Sequence, residues 1–261
     1  MMRVVMSAAL ASALVTGLAN AQEFSWKGRL AQGKTIEIRG VNGDVNAVIG
    51  TGPDVEVTAQ KRARRSDPDE VEVKVIEHAG GVTICTIYPP SRRSSRRNRE
   101  NSCGPGESHN NTDNNDVHVH FTVRVPAGVA FDGNTVNGDV IVEALKSDAH
   151  AETVNGSIEL STTGYAEAQT VNGSIRASMR STSWPERLDF STVNGGITLD
   201  LPANAAADVD AETVNGSLQT DFPLTINGRF NPRRLSGQIG GGGSRLSLET
   251  VNGDIKLRKT T

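Results

Sequence analysis

The densest group of possible metal ligands in this sequence lies around His118 and His120. The two histidines are two residues apart in an alternating segment, so both imidazoles point to the same face of one predicted strand. Two imidazoles on one face can bind a single zinc ion, but a stable site also needs a fixed third ligand. No such ligand is evident, and a solvent-facing strand explains the pair equally well. We therefore treat His118 and His120 as weak metal candidates and predict no cofactor.

Motifs of nucleophilic or phosphate-transferring enzymes do not occur in the sequence. There is no Gly-x-Ser-x-Gly elbow and no Gly-Lys-Ser/Thr phosphate loop, and the glycine run Gly240–Gly243 lacks a strand-to-helix context. Carbohydrate-active enzymes on β-helices place paired acids along one face. Neither of the two outward columns that we compared clusters acids on adjacent repeats. One column holds Glu159, Arg176, Thr198, Gln219 and Lys256, and the other holds Glu152, Gln169, Ser191, Glu212 and Glu249. We predict no catalytic residues, and a polysaccharide-active enzyme is the alternative.

A local basic patch interrupts a chain whose formal net charge is −3. Half of its residues lie in an arginine- and serine-rich stretch without aromatic side chains, so bases would have no stacking platform and we predict no specific nucleic-acid binding. Salt-dependent attraction to an anionic surface polymer is one hypothesis, and a solvated loop is the other. The patch consists of Lys61, Arg62, Arg64, Arg65, Lys74, Arg92, Arg93, Arg96, Arg97 and Arg99.

The first 21 residues predict the compartment. Arg3 precedes an apolar run that ends in the small-x-small triplet Ala19-Asn20-Ala21, which is typical of a cleaved secretory signal. No later window is apolar enough to span a bilayer. We predict an exported protein, periplasmic, on the cell surface or secreted, without a transmembrane span in the mature chain. An oxidising compartment favours a disulfide between Cys85 and Cys103 over two unpaired thiols.

Seven Val-Asn-Gly repeats must position whatever surface the protein presents, and they begin at Val41, Val136, Val154, Val171, Val193, Val214 and Val251. Apolar residues alternate with polar ones after each repeat, as in a half-buried strand. Asparagine and glycine tolerate the positive φ of a tight turn. The predicted structural turn residues are Asn137, Gly138, Asn155, Gly156, Asn172, Gly173, Asn194, Gly195, Asn215, Gly216, Asn252 and Gly253.

These units of about 20 residues predict an all-β fold. In a β-solenoid each unit forms one coil, and the Val and Ile columns stack as interior ladders. An antiparallel meander or β-sandwich would instead align the turns along one edge. The steady unit length and the small residues before each Val favour the solenoid. We predict a signal peptide at 1–21, an N-terminal β region at 22–88, a flexible Arg/Ser/Asn-rich insertion at 89–116 and a repeat domain at 117–261.

The Thr-Val-Asn-Gly repeats, the Val-Pro-Ala-Gly-Val step at Val125 and the glycine run before the last repeat resemble the bacterial "putative adhesin" domain family of exported repetitive β proteins. The resemblance covers roughly Thr35 to Lys259, apart from the insertion. It implies a β-solenoid-like fold and an envelope location, and it supplies no catalytic or binding residues.

From the repeats and this resemblance we predict a non-catalytic protein with a structural or adhesion-like role in the bacterial envelope. Its partner is unknown, and an envelope protein or an anionic surface polymer would fit. The alternatives are the polysaccharide-active enzyme and an envelope signalling or stress component that acts through protein contacts.

Overall fold

The computed structural model describes residues 23–91, 101–182, 184–185, 187–226 and 233–260. The predicted signal peptide and the stretch 92–100 of the predicted insertion lie outside these residues. The described chain forms two long sheets, a two-stranded hairpin and one 3-10 turn at Pro68–Glu70. It contains no helix with the length and apolar character of a membrane span.

Sheet A has ten strands. In spatial order they are β1 (Glu23–Gly28), β4 (Val55–Arg62), β9 (His118–Val125), β3 (Val45–Ile49), β11 (Val140–Leu145), β13 (Ile158–Thr162), β15 (Ile175–Met179), β17 (Ile197–Pro202), β23 (Ile255–Thr260) and β19 (Leu218–Thr220).

Sheet B has eleven strands, and the separate hairpin joins β7 (Ser102–Gly104) to β8 (Glu107–His109). In spatial order the strands of sheet B are β20 (Thr225–Ile226), β21 (Arg234–Ile239), β18 (Ala207–Asn215), β22 (Arg245–Asn252), β16 (Arg187–Asn194), β14 (Ala166–Gln169), β12 (Ala149–Glu152), β10 (Ala130–Asn134), β2 (Thr35–Arg39), β6 (Gly81–Ile87) and β5 (Glu72–His78).

Each coil contributes one strand to each sheet, and in seven of the eight coils a Val-Asn-Gly corner joins the two strands. Neighbouring coils pair in parallel, with Ala149 opposite Ala166 in sheet B and Ile158 opposite Ile175 in sheet A. An antiparallel meander cannot produce this pairing. The structure therefore confirms the predicted β-solenoid-like fold.

The order of the eight coils departs from chain order near both ends. From one end of the stack to the other, the coils are β6/β9, β2/β3, β10/β11, β12/β13, β14/β15, β16/β17, β22/β23 and β18/β19. The coil of β22 and β23 thus lies between two coils that precede it in the chain. Antiparallel strands cover the ends, with β4 and β5 at one end and β21 at the other.

Like residues stack on like residues in the interior between the sheets. Ile158, Ile175 and Ile197 form one fully buried column of sheet A, and small residues such as Ala151 and Ala168 face them from sheet B. Because such small residues pack opposite the isoleucines, the space between the sheets is narrow. A chain with only 6 Phe, 2 Trp and 2 Tyr can therefore fill its core.

The Val of each repeat does not belong to this interior, so the prediction of an interior Val ladder was wrong. Six of these valines are 38–48% exposed, whereas the preceding threonines are buried. The Thr hydroxyl hydrogen-bonds to the neighbouring coil and therefore faces the interior. Because side chains alternate along an extended chain, the Val that follows faces outward.

Candidate functional site: the corner ridge and the end pocket

The seven Val-Asn-Gly corners line up along one edge of the stack and form what we call the corner ridge. Their asparagine side chains make a continuous hydrogen-bonded ladder in which each Nδ2 beyond Asn42 donates to the Oδ1 of its neighbour on the Asn42 side. Asn172, for example, donates to Asn155 and accepts from Asn194, both over 2.8 Å. The ladder runs through Asn42, Asn137, Asn155, Asn172, Asn194, Asn252 and Asn215.

The corner glycines are required by close contact between coils. A Cβ on Gly173 would lie 1.9 Å from the carbonyl oxygen of Gly156, and Gly195 meets Gly173 at 2.0 Å. The predicted positive φ was wrong for these residues, since among the described Val-Asn-Gly glycines only Gly43 has one, at 121°. Thr170 Oγ1 donates to the same Gly156 carbonyl over 2.9 Å. The twelve predicted turn residues thus lie at coil corners that hold neighbouring coils together.

The corner ridge ends where residues 88–117 replace the Val-Asn-Gly corner, in the coil of β6 and β9. Tyr88 lies buried at this end and donates its hydroxyl to the carbonyl of Val117 over 2.8 Å. Burial raises the pKa of Tyr88 to about 12, although hydrogen bonds from Asn42 oppose the shift. The phenol therefore stays protonated and closes the asparagine ladder at Asn42.

Cys85 and Cys103 form a disulfide, with a Cα–Cα distance of 6.1 Å, that ties the β7–β8 hairpin to sheet B. The hairpin covers Glu37, whose carboxylate accepts from the backbone N–H of Gly106 at 3.2 Å and from Thr83 Oγ1 at 2.5 Å. Part of the predicted insertion is thus anchored to the outer face of sheet B.

An open pocket of about 700 Å³, which we call the end pocket, lies beside the terminus of the corner ridge. It forms because β4 and β9 pair in antiparallel fashion, which places Arg62 opposite His118 and Gln60 opposite His120. The lining residues are Arg62, Ala63, Arg64, Arg65, Asn114, Asn115, Asp116, His118 and His120.

A buttress made by Asp116 shapes the arginine side of the end pocket. Its carboxylate accepts from the backbone N–H of Ser66 at 2.8 Å and from those of Arg65 and Arg64 at 3.1 and 3.3 Å. These bonds, that of Ser66 first, lower the pKa of Asp116 to about 2. The carboxylate is therefore ionised near neutral pH and engaged with backbone, and no ion pair of Arg62, Arg64 or Arg65 occurs within the described residues.

The two candidate metal-binding histidines stack on each other on the opposite wall of the end pocket. The ring centroids of His118 and His120 are 6.1 Å apart, and the rings are nearly parallel, at 13°. His120 Nδ1 lies 3.2 Å from Asp44 Oδ2. In the part of the chain that the structure describes, no three His, Cys, Asp or Glu side chains form a metal-binding group.

The outer face of sheet B carries a row of charges that the sequence columns did not reveal. The parallel pairing puts Asp132, His150 and Glu167 on adjacent coils, two residues before the compared column that begins at Glu152. His150 lies 3.1 Å from Glu152 and 3.6 Å from Glu167. Burial disfavours protonation of His150, but the bonds to these carboxylates outweigh it and raise its pKa to about 10. The register also places Glu212 of β18 directly opposite Glu249 of β22, within a column that was compared, so the prediction that neither column clusters acids on adjacent coils was wrong.

The comparisons with known proteins place the chain in a family. The family model for Toastrack DUF4097 matches residues 111–258, more than half of the chain, which confirms the predicted family resemblance. No curated protein matches the chain.

Two solved structures align with most of the chain. One is a "putative cell adhesion protein" from Clostridium sporogenes, with 9% identity, a TM-score of 0.47 and coverage of 92% of this chain and 100% of that one. The other is a "putative adhesin" from Bacteroides fragilis, with 11% identity, a TM-score of 0.36 and coverage of 92% and 97%. On the strength of the family match, the chain belongs to the Toastrack DUF4097 family.

Proposed function

We propose that this protein is an exported, non-catalytic scaffold with a structural or attachment role at the bacterial envelope. The corner ridge carries the proposal. The repeated Thr and Asn side chains bond to the neighbouring coil, Gly allows the coils to approach closely, and the outward Val is apolar, so these residues present no titratable group. A repeat used in this way builds length and rigidity, which a spacer or attachment protein needs and which an enzyme site does not.

Two further observations support an envelope location. The first 21 residues have the pattern of a cleaved signal. The chain has two cysteines, and they are bonded to each other, which suits an oxidising compartment.

Removal of one repeat tests the scaffold role. Deletion of residues 154–170 joins Thr153 to Val171 and restores the Thr-Val-Asn-Gly corner. It removes β13 and β14, so β12 would continue into β15. A scaffold with interchangeable coils should still fold and give a shorter particle by small-angle X-ray scattering, with a β-type circular dichroism spectrum. Deletion of residues 175–191, also 17 residues long, is the matched control, because it removes β15 and most of β16, joins one corner directly to the next and should abolish folding. Equal behaviour of the two deletions would overturn the scaffold role.

Fractionation of a bacterium that expresses the full chain tests the location. We expect a mature protein that begins at Gln22, lies outside the cytoplasm and has thiols protected from alkylation. The variant L10R/L14R, with charges in the apolar run, should stay cytoplasmic at full length. Retention of the natural sequence in the cytoplasm with two reactive thiols would refute the envelope location.

A further inference from the structure

We propose that the end pocket binds a phosphoryl group carried on a sugar, with Arg62, Arg64 and Arg65 as the anion-binding residues. This inference goes beyond the scaffold role, because it assigns a specific ligand site to the irregular coil of an otherwise regular stack.

The charge of the end pocket favours a dianion. Three arginines line it, of which Arg62 donates from Nη2 to Gln60 Oε1 over 3.2 Å, and the carboxylate in the lining, that of Asp116, is already engaged by three backbone N–H groups. Arginine matches phosphate oxygens with a planar fork of donors, and such charge-assisted bonds are about twice as strong as neutral ones. The acid next to the histidine wall, Asp44, lies against His120, with Oδ2 3.2 Å from Nδ1.

The backbone around the end pocket is preorganised. The Asp116 buttress holds the turn at residues 64–66, and Ser66 Oγ accepts in return from the N–H of Asp116 over 3.1 Å. Across the pocket Asn114 has a φ of 51°, a conformation that is uncommon outside glycine and that clusters at ligand sites. Binding would therefore order little beyond the arginine side chains themselves.

The remaining lining favours a sugar over an acyl chain or a base. Asn114 and Asn115 offer amide donors and acceptors for hydroxyl groups, and the stacked imidazoles of His118 and His120 provide a ring face with polar edges. Ala63 is the only aliphatic residue of the lining, so a lipid tail would find no cluster of aliphatic side chains to pack against. The volume of about 700 Å³ is large enough for a monosaccharide phosphate.

Titration of the full mature chain with glucose 1-phosphate tests the proposal, with the ring signals of His118 and His120 followed by NMR. We expect saturable shifts of both rings. The variant R64Q/R65Q should weaken binding at least tenfold while the melting temperature stays within a few degrees. The control variant R176Q/R180Q removes the same charge from exposed arginines elsewhere on the stack and should bind as the natural sequence does.

Inorganic phosphate and anionic vesicles distinguish the possible sources of the phosphoryl group. Weaker binding of inorganic phosphate than of glucose 1-phosphate at the same rings would support the sugar contacts, and equal affinity would overturn them. Retention on phosphatidylglycerol vesicles without ring shifts from glucose 1-phosphate would show a membrane-docking surface and overturn the proposal. Equal weakening by the two double variants would also overturn it. None of these results bears on export or on the repeat-deletion test.

Discussion

The corner ridge and the end pocket lie on the same edge of the stack, yet they use that edge in opposite ways. Along the corner ridge the same Val-Asn-Gly residues recur, and each asparagine side chain bonds to its copy in the neighbouring coil. In the coil of β6 and β9, where the corner ridge ends, Val119 lies against Gly43 and His120 lies beside Asp44. The backbone stacking therefore continues into this coil, but the Val-Asn-Gly repeat does not. Where the coils stack regularly, their polar groups are hydrogen-bonded to the neighbouring coil. Where the repeat ends, arginine and histidine side chains are left for a ligand to bind.

The largest expected effect is on the corner ridge. Gly173→Ala would place a Cβ 1.9 Å from the carbonyl oxygen of Gly156, and the three nearest atoms are all backbone atoms of that coil, which cannot move aside as a side chain can. We expect a loss of about 3 kcal/mol or more in the free energy of unfolding, measured by urea denaturation. Gly52→Ala is the control, because a Cβ there meets nothing within 4 Å, and it should cost less than about 1 kcal/mol. Similar losses at both sites would contradict the close-contact role.

The second effect concerns the irregular coil of β6 and β9, to which the disulfide ties the β7–β8 hairpin. Removal of the disulfide with C85A/C103A releases a loop with a sequence separation of 18, which costs roughly 3 kcal/mol in the loop-entropy model. Hydrogen exchange should rise in residues 102–109 and stay unchanged at the corner 153–156. A uniform rise throughout the stack would show that the two regions are not independent.

A smaller effect tests whether the asparagine ladder stabilises the fold. Asn172→Ala removes two side-chain bonds, whereas Asn215→Ala removes the single bond at the ladder end. At roughly 0.5–1 kcal/mol for each bond, we expect losses of about 1–2 and about 0.5–1 kcal/mol. Urea denaturation of the two variants side by side measures the ratio. Equal losses would mean that the ladder bonds contribute no stability of their own.

The smallest effect is a local titration. Because the folded-state pKa of Asp116 is depressed to about 2, its bonds stabilise the turn above the ordinary value of 3.8 and are lost as the pH falls toward 2. The amide signals of Arg64, Arg65 and Ser66 should shift with a midpoint near pH 2, and Asp116→Asn should abolish the shift. The side-chain amides of Asn155 and Asn172 should not follow this titration. A midpoint near 3.8 would show that the buttress is not formed in solution.

Much of the fold was predictable because the solenoid is a local pattern repeated. The alternation after each Val identifies the strands, and the unit length near 20 residues identifies the coils. The order of the coils was not predictable, since the repeat at Val251 carries the same Thr-Val-Asn-Gly as those at Val193 and Val214 and its strands could pair with any of them. Its place between these two depends on long-range pairing that identical residues do not encode.

The candidate site was less predictable, for two physical reasons. Arg62 and His118 are 56 positions apart and meet only because β4 pairs with β9. The row of Asp132, His150 and Glu167 lies two residues before the column that was compared, and only the register shows that these side chains are neighbours. The sequence did contain a signal for the end pocket, because Arg62, Arg64 and Arg65 belong to the basic patch.

The unusual coil order has a consequence for how the chain acquires its structure. Residues 245–260 leave the ribosome after residues 207–220, yet their strands lie between those of the latter and the rest of the stack. Until they arrive, β18 and β19 lack their parallel partners in the stack. Growth coil by coil therefore stalls before this point, and completion waits for contacts between distant residues, which are slow to form. The coil of β22 and β23 lies inside the stack but is synthesised late. We therefore expect the native state to form only after most of the polypeptide has been made.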